Sequence, residues 1–111
     1  MDSILTSIKK LLGITEEYEH FDAEIITHIN TTLAILAQLG VGDGFAITDK
    51  SVTWNDFIGD DPRGNFVKSF VGLKVRLLFD PPQSSAVKEA MERTLSELEF
   101  RINVEFDGRE E

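Results

Sequence analysis

Residues 70–85 decide the fold, and they read Phe70-Val71-Gly72-Leu73-Lys74-Val75-Arg76-Leu77-Leu78-Phe79-Asp80-Pro81-Pro82-Gln83-Ser84-Ser85. Apolar side chains at residues 66–79 cover nearly all faces of a helix, so we expect residues 64–79 to form a helix that is buried on most sides. Two consecutive prolines end this helix, because the residue before a proline avoids the helical backbone conformation. Ser84 or Ser85 can then cap the start of another helix. The stretch therefore predicts a central buried helix followed at once by a second one.

Working toward the N-terminus, the sequence predicts two long helices and one short one. Apolar residues in residues 3–12 and 22–39 recur with helical spacing, and each segment is followed by glycine. Asp22 is expected to cap the second of these helices. Thr53 and Asp56 have the spacing of a capping box, which predicts a short helix directly after Thr53.

Beyond the central helix, residues 85–103 carry an apolar stripe at helical spacing, and residues 104–111 are polar and acidic. We therefore predict an all-α bundle of four main helices plus one short helix. A short β-hairpin within residues 44–53 is an open alternative for that loop. Residues 1–103 form the expected domain, and residues 104–111 form an expected flexible tail. The predicted buried stripe of the last helix consists of Val87, Met91, Leu95, Leu98 and Ile102.

Length, charge and cysteine content narrow the class of protein. The 111 residues fit one domain, and the absence of cysteine excludes disulfides and thiolate chemistry. A net charge of −9 has the wrong sign for binding nucleic acid phosphates. No apolar stretch approaches the roughly 20 residues that a membrane span needs, and no signal peptide is recognisable. We expect a soluble intracellular protein without membrane partners.

The charge is divided unevenly along the chain. Residues 11–61 contain ten acidic residues and one basic residue, whereas residues 62–88 contain five basic residues and one acidic residue. Residues 89–111 return to eight acidic and three basic residues. This pattern is compatible with a simple solvated acidic surface. The alternative is an acidic face that meets a basic face on a neighbouring copy.

Candidate catalytic and metal-binding motifs have simpler interpretations. A metal site built on His20, Asp22 and His28 would need three or more convergent ligands with an arranged second shell, and Asp22 is better explained as a helix cap. The glycines in residues 40–44 lack the lysine and serine or threonine of a phosphate-binding loop. The aspartates in residues 56–61 lack the spacing of a calcium loop. We therefore expect no enzymatic activity, no cofactor and no metal.

Five segments together carry a resemblance to a known family. They are Ile8-Lys9-Lys10-Leu11-Leu12-Gly13-Ile14, Asp22 with Ile25-Ile26-Thr27-His28-Ile29-Asn30, Gln38-Leu39-Gly40-Val41-Gly42, Thr53-Trp54-Asn55-Asp56-Phe57, and Leu73-Lys74-Val75-Arg76-Leu77-Leu78-Phe79-Asp80-Pro81-Pro82. The last of these is the most specific. In these segments the chain resembles the bacteriophage head–tail connector family, small adaptor proteins that sit beneath the portal of tailed phages.

The resemblance implies a structural protein of the virion neck, made in the host cytoplasm. It implies a ring of identical subunits, commonly a dodecamer, that docks on the portal protein after DNA packaging and supports the next neck or tail protein. DNA would pass through the ring without specific binding, and no cofactor or catalysis is implied. The alternative from another class is a small acidic helical domain for regulation or protein interaction.

Two sets of residues are candidates for contacts with other proteins. The first set, chosen by charge, would join neighbouring subunits and comprises Lys68, Lys74, Arg76, Glu16, Glu17 and Glu19. The second set would contact the portal or the next neck protein and comprises Arg101, Asn103, Val104, Glu105, Phe106, Phe45 and Trp54. Trp54 is also open to another interpretation, in which it closes the core.

Overall fold

The computed structural model describes residues 3–42 and 44–106, and every regular element in these residues is a helix. The prediction of an all-α bundle with four main helices and one short helix is confirmed. The helices are α1 (Ile4–Leu11), α2 (Asp22–Gln38), α3 (Trp54–Ile58), α4 (Gly64–Phe79) and α5 (Ser85–Phe106).

Helix α4 is the centre of the bundle, as its apolar sequence predicts. It packs against α2 on one side and α5 on another, and it also contacts α1. Val67, Phe70, Val71 and Val75 of α4 are buried in the common core. Gly72 allows α1 to approach closely, because a Cβ at this position would lie 2.8 Å from Leu11 Cδ1. The central helix thus fixes the positions of the three other main helices.

Local capping signals form as the sequence predicts. The backbone N–H of Asp56 donates to Thr53 Oγ1 at 3.1 Å, and the Thr53 N–H donates to Asp56 Oδ2 at 2.9 Å, which completes the capping box. Ser3 Oγ accepts from the Thr6 N–H at the start of α1. Gly13 follows α1 with a φ of +80°, a left-handed conformation that favours glycine.

The prediction that Asp22 caps α2 is wrong. Phe21 occupies the cap position and makes no side-chain cap hydrogen bond. Asp22 is instead the first residue of the helix, and its carboxylate lies beside the ammonium group of Lys9. A tertiary ion pair has therefore replaced the local hydrogen bond that the sequence pattern favoured.

The loop before α3 forms no β-hairpin in its described residues. The backbone N–H and C=O of Ile47 are both bound by the side-chain amide of Asn30, at 2.8 and 2.9 Å. The side chain of Ile47 is buried in the core. Because Asn30 supplies the hydrogen bonds that a second strand would supply, the alternating pattern around Ile47 needs no hairpin. An isolated bridge between Ser3 and Thr53 is present nearby.

Helix α5 is longer than predicted. It continues through residues 104–106, which the sequence assigns to the tail, and Phe106 packs against the core. Residues 107–111, the rest of the predicted tail, lie outside the described residues. The extra turn is stabilised by Arg63, whose guanidinium lies 4.1 Å from the centre of the Phe106 ring.

Candidate interaction surfaces

A buried lysine shapes the acidic linker, which we define as residues 14–21 between α1 and α2. Lys9 is only 2% exposed, and its Nζ donates to the carbonyl oxygens of Glu16 at 3.0 Å and Tyr18 at 2.7 Å. The same Nζ lies 2.8 Å from Asp22 Oδ1. That oxygen is buried and accepts no hydrogen bond from the described residues, so this contact is an ion pair without hydrogen-bond geometry. Lys9 therefore joins α1, the linker and the start of α2.

The linker presents its acidic side chains to solvent. Glu16, Glu17 and Glu19 are exposed, while their backbone follows the path fixed by Lys9. Tyr18, in the middle of this group, is half-exposed and lies edge-on to Phe21 with ring centroids 5.9 Å apart. The linker thus exposes one aromatic ring and three acidic side chains.

The predicted basic residues all lie on α4 and are half-buried. Lys68 Nζ is 5.9 Å from the centre of the Trp54 ring, and Arg76 Nε donates to the carbonyl oxygen of Asp80 at 2.6 Å. Lys74 lies on the same helix. None of the four ion pairs in the described part of the chain joins these bases to the acidic linker. The charge pairing between subunits stays a prediction.

The end of α5 is attached to the body through Arg63. This guanidinium forms a short ion pair with Asp61, 2.6 Å from Nη2 to Oδ2, and also donates to the Glu105 carbonyl oxygen. The hydrogen bonds from Arg63 hold the pKa of the Asp61 carboxyl below its usual value. A Cβ on Gly40 would lie 2.5 Å from the Phe106 carbonyl oxygen, so α5 ends directly against the turn that follows α2.

The predicted portal-binding residues fall into exposed and buried groups. Arg101, Asn103, Val104 and Glu105 are exposed on α5, and Arg101 pairs with Glu97 at 2.8 Å. Phe106 is partly buried. The role of these residues in binding a partner stays a prediction.

Phe45 and Trp54 lie against the body of the protein. Trp54 is 5% exposed, and its Nε1 donates to Ser7 Oγ at 2.8 Å. Phe45 is half-buried and stacks at a tilt on Phe57, with ring centroids 4.9 Å apart. The burial of Trp54 places it in the core and leaves little of its surface for another protein.

An apolar groove runs between α4 and α5 beside the end of α1. Its volume is about 520 Å³. Leu11, which is 64% exposed, forms one edge, and a shallower depression continues past Leu73 and Met91 to Val87. Val87, which the predicted buried stripe of α5 includes, is instead half-exposed at the end of this depression. The bases Lys68 and Arg76 also line the groove.

Phe100, which is absent from the predicted contact residues, has the largest exposed fraction, 69%, among the large hydrophobic side chains of the described residues. Val104, one turn further along α5, is 57% exposed. Phe100 is two residues from both Leu98 and Ile102, so it points about 200° away from the core side of the helix. An aromatic residue on the polar side of an amphipathic helix is the sequence feature that indicates the exposed patch of Phe100 and Val104.

The described residues contain no group of three or more His, Cys, Asp and Glu side chains that could hold a metal ion. Of the three residues weighed as metal ligands, Asp22 is paired with Lys9, and His28 Nε2 lies 3.6 Å from Glu24. No described helix has the length and apolar character required to cross a membrane. The exposed apolar residues, the groove and the acidic linker are features suited to contacts with other proteins.

Comparison with protein families matches residues 4–109 to the family described as phage connector protein. Since the match covers nearly the whole chain, the protein belongs to the phage connector protein family, in agreement with the resemblance in its sequence. It is thus a structural protein of a bacteriophage with a connector role. Neither the curated proteins nor the solved structures gave a match to this chain.

Proposed function

We propose that this protein forms a ring under the portal and links the DNA-filled capsid to the tail. The observation that carries the proposal is the match to the phage connector family over residues 4–109. The ring would consist of identical subunits, commonly twelve, located at the virion neck. Its partners would be the portal protein and the next neck or tail protein.

The surface of the molecule supports an assembling role. Phe100 and Val104 are exposed on one side of α5, and an apolar groove lies on another side of the protein. A cyclic ring requires two different, complementary patches on each subunit. Single exposed apolar residues are common on monomers, but a groove together with a separate apolar patch is typical of interaction surfaces.

The overall charge supports a channel that does not bind DNA. With a net charge of −9, the protein as a whole would repel phosphates. DNA could therefore pass through a ring of such subunits without being held. This part of the proposal predicts no retention of double-stranded DNA by the purified protein at physiological salt.

The test is to mix the purified chain with portal rings of the same phage and to measure the mass of the complex and image it. The proposal predicts a second ring on the portal with a fixed number of copies. If the chain stays free at concentrations well above those of the portal subunits, the proposed ring under the portal is refuted. A small regulatory domain of unrelated function would then be favoured.

The same assay can locate the portal contact. We propose that the end of α5 and residues 107–111 meet the portal. A chain lacking residues 107–111 keeps the contacts of Arg63 with Glu105 and Phe106, so it should remain folded. Loss of portal binding by this folded variant is expected. Unchanged binding would show that the contact lies elsewhere.

A further inference from the structure

The outer side of α5 carries an apolar patch that the fold itself does not use. Phe100 and Val104 are one turn apart, and both project away from the core side defined by Leu98 and Ile102. A helix that is apolar on two opposite sides is normally buried on both. In a single copy of this protein the second side is left in solvent.

The groove between α4 and α5 has the size and chemistry to receive such a patch. Its volume of about 520 Å³ is several times the roughly 150 Å³ that accommodates a benzene ring in an apolar cavity. Leu11, Leu73 and Met91 supply apolar walls. Gly72 lines the groove without a side chain, and Leu11 Cδ1 occupies part of the space above it.

Charge favours another copy of the same chain as the occupant. Lys68 and Arg76 line the groove, and none of the described residues that line it is acidic. Helix α5, which carries the patch, contains five glutamates against three basic residues. Glu97, one turn before the patch, is already paired with Arg101 of its own helix. Glu105, next to Val104, is exposed and forms no ion pair among the described residues, so its carboxylate is available to a base at the edge of the groove. Each copy therefore offers both halves of a contact, apolar at its centre and of opposite charge at its edge.

We propose that Phe100 and Val104 of one subunit insert into the α4–α5 groove of the next subunit. The two surfaces are different, so repetition of the contact joins subunits head to tail, as a closed ring requires. The inference rests on the ring of the proposed function and identifies the residues that would build it. It also replaces the simpler pairing of Lys68 and Arg76 with the acidic linker by a contact whose centre is apolar.

The absence of cysteine makes a direct test available. Ser96 is exposed one turn before Phe100, and Ser69 is exposed at the edge of the groove. Full-length S96C and S69C chains carrying different mass tags would be mixed, both free at high concentration and on portal rings, and then oxidised. Mixed dimers of S96C with S69C are expected.

Two matched controls make the result specific. T31C places a cysteine on the exposed surface of α2, away from the groove, and should give few mixed dimers with S96C. Adding F100A to the S96C chain should lower mixed-dimer formation with S69C by about tenfold or more, because burial of the ring is lost. Phe100 contributes little to the fold of one subunit, so circular dichroism of F100A should be unchanged.

The outcomes separate this inference from the proposed function. Rings on the portal without S96C–S69C dimers would overturn the inference and leave the connector role intact. Predominant S96C–S96C dimers, or mixed dimers that survive F100A, would overturn it as well. Specific S96C–S69C dimers in a protein that fails to bind portal rings would support the contact and refute the proposed function.

Discussion

Replacing Lys9 by methionine is the most revealing single perturbation of this fold. Methionine retains much of the apolar stem of lysine but removes the charge and the three donors of the ammonium group. The carbonyl oxygens of Glu16 and Tyr18 then lose their partner, and the Asp22 carboxylate loses its ion pair. All three groups would then depend on water for hydrogen bonds, although Asp22 Oδ1 is buried.

The expected loss of stability follows from these contacts. Breaking a buried ion pair by removing one partner destabilises a protein by about 3–5 kcal/mol. Asp22 is 26% exposed, so water can partly solvate its carboxylate, and we expect a value near the lower end, about 3 kcal/mol. This is a large part of the roughly 5–15 kcal/mol that stabilises a typical domain.

Urea unfolding followed by circular dichroism measures this loss. With a slope of about 1–3 kcal/mol per molar urea, the midpoint of K9M should fall by about 1–3 M. Lys10, the next residue on α1, is exposed, so K10M serves as the matched control and should stay within about 0.5 kcal/mol of the natural protein. Equal midpoints for K9M and K10M would refute the role given to Lys9.

A partner variant checks that Asp22 acts through Lys9. D22N removes the ion pair but leaves both carbonyl contacts of Lys9, so it should destabilise less than K9M. In the double variant the two effects should not add, with a coupling of about 1–2 kcal/mol, as is usual for residues in direct contact. Additive effects would show that Asp22 acts independently of Lys9.

Two further predictions concern the attachment of α5. Gly40→Ala should lower the melting temperature, because Gly40 has a φ of +99° and an added Cβ would lie 2.5 Å from the Phe106 carbonyl oxygen. Gly44 also has a positive φ but has open space around it, so Gly44→Ala should lower the melting temperature less. Equal decreases for the two variants would contradict the role given to the contact with Phe106. Asp61 has a lowered pKa through Arg63, so its stabilising effect is present above about pH 4 and is lost as the pH falls through the lowered value. The difference in unfolding free energy between the natural protein and D61N should shrink over that acid range, and a constant difference would argue against the ion pair.

The parts of the fold that the sequence predicts well are those that depend on neighbours in the chain. The capping box of Thr53 and Asp56, the stop at Gly13 and the end of α4 before Pro81 each involve residues within a few positions of one another. Their geometry is therefore determined by nearby residues and depends little on how the helices pack. The buried character of α4 was predictable because its apolar residues cover almost every side of the helix.

The errors arise where a residue far away in the sequence supplies the partner. Asp22 has the pattern of a helix cap, but Lys9 is thirteen positions earlier and holds its carboxylate. Ile47 alternates with polar residues as a strand would, yet Asn30 on α2 takes both of its backbone groups. Such contacts depend on how helices pack, which a single sequence does not contain.

The candidate surfaces were predictable only in part. Exposed acidic residues of the linker and of the end of α5 were expected from composition, whereas the burial of Trp54 was one of two open interpretations. Phe100 lies off the apolar stripe that predicts the buried side of α5, so the helical periodicity of that stripe does not include it. The groove is formed where α1, α4 and α5 pack together, so no local sequence pattern predicts it.

The way in which Lys9 holds the linker has a consequence for how this surface can evolve. The ammonium group donates hydrogen bonds to the backbone carbonyl oxygens of Glu16 and Tyr18, and every amino acid has such an oxygen. Side chains along the linker can therefore be exchanged while its course between α1 and α2 is kept. Single substitutions in the linker could thus change the charge and shape of the surface that contacts other neck proteins, while the fold of the protein is kept.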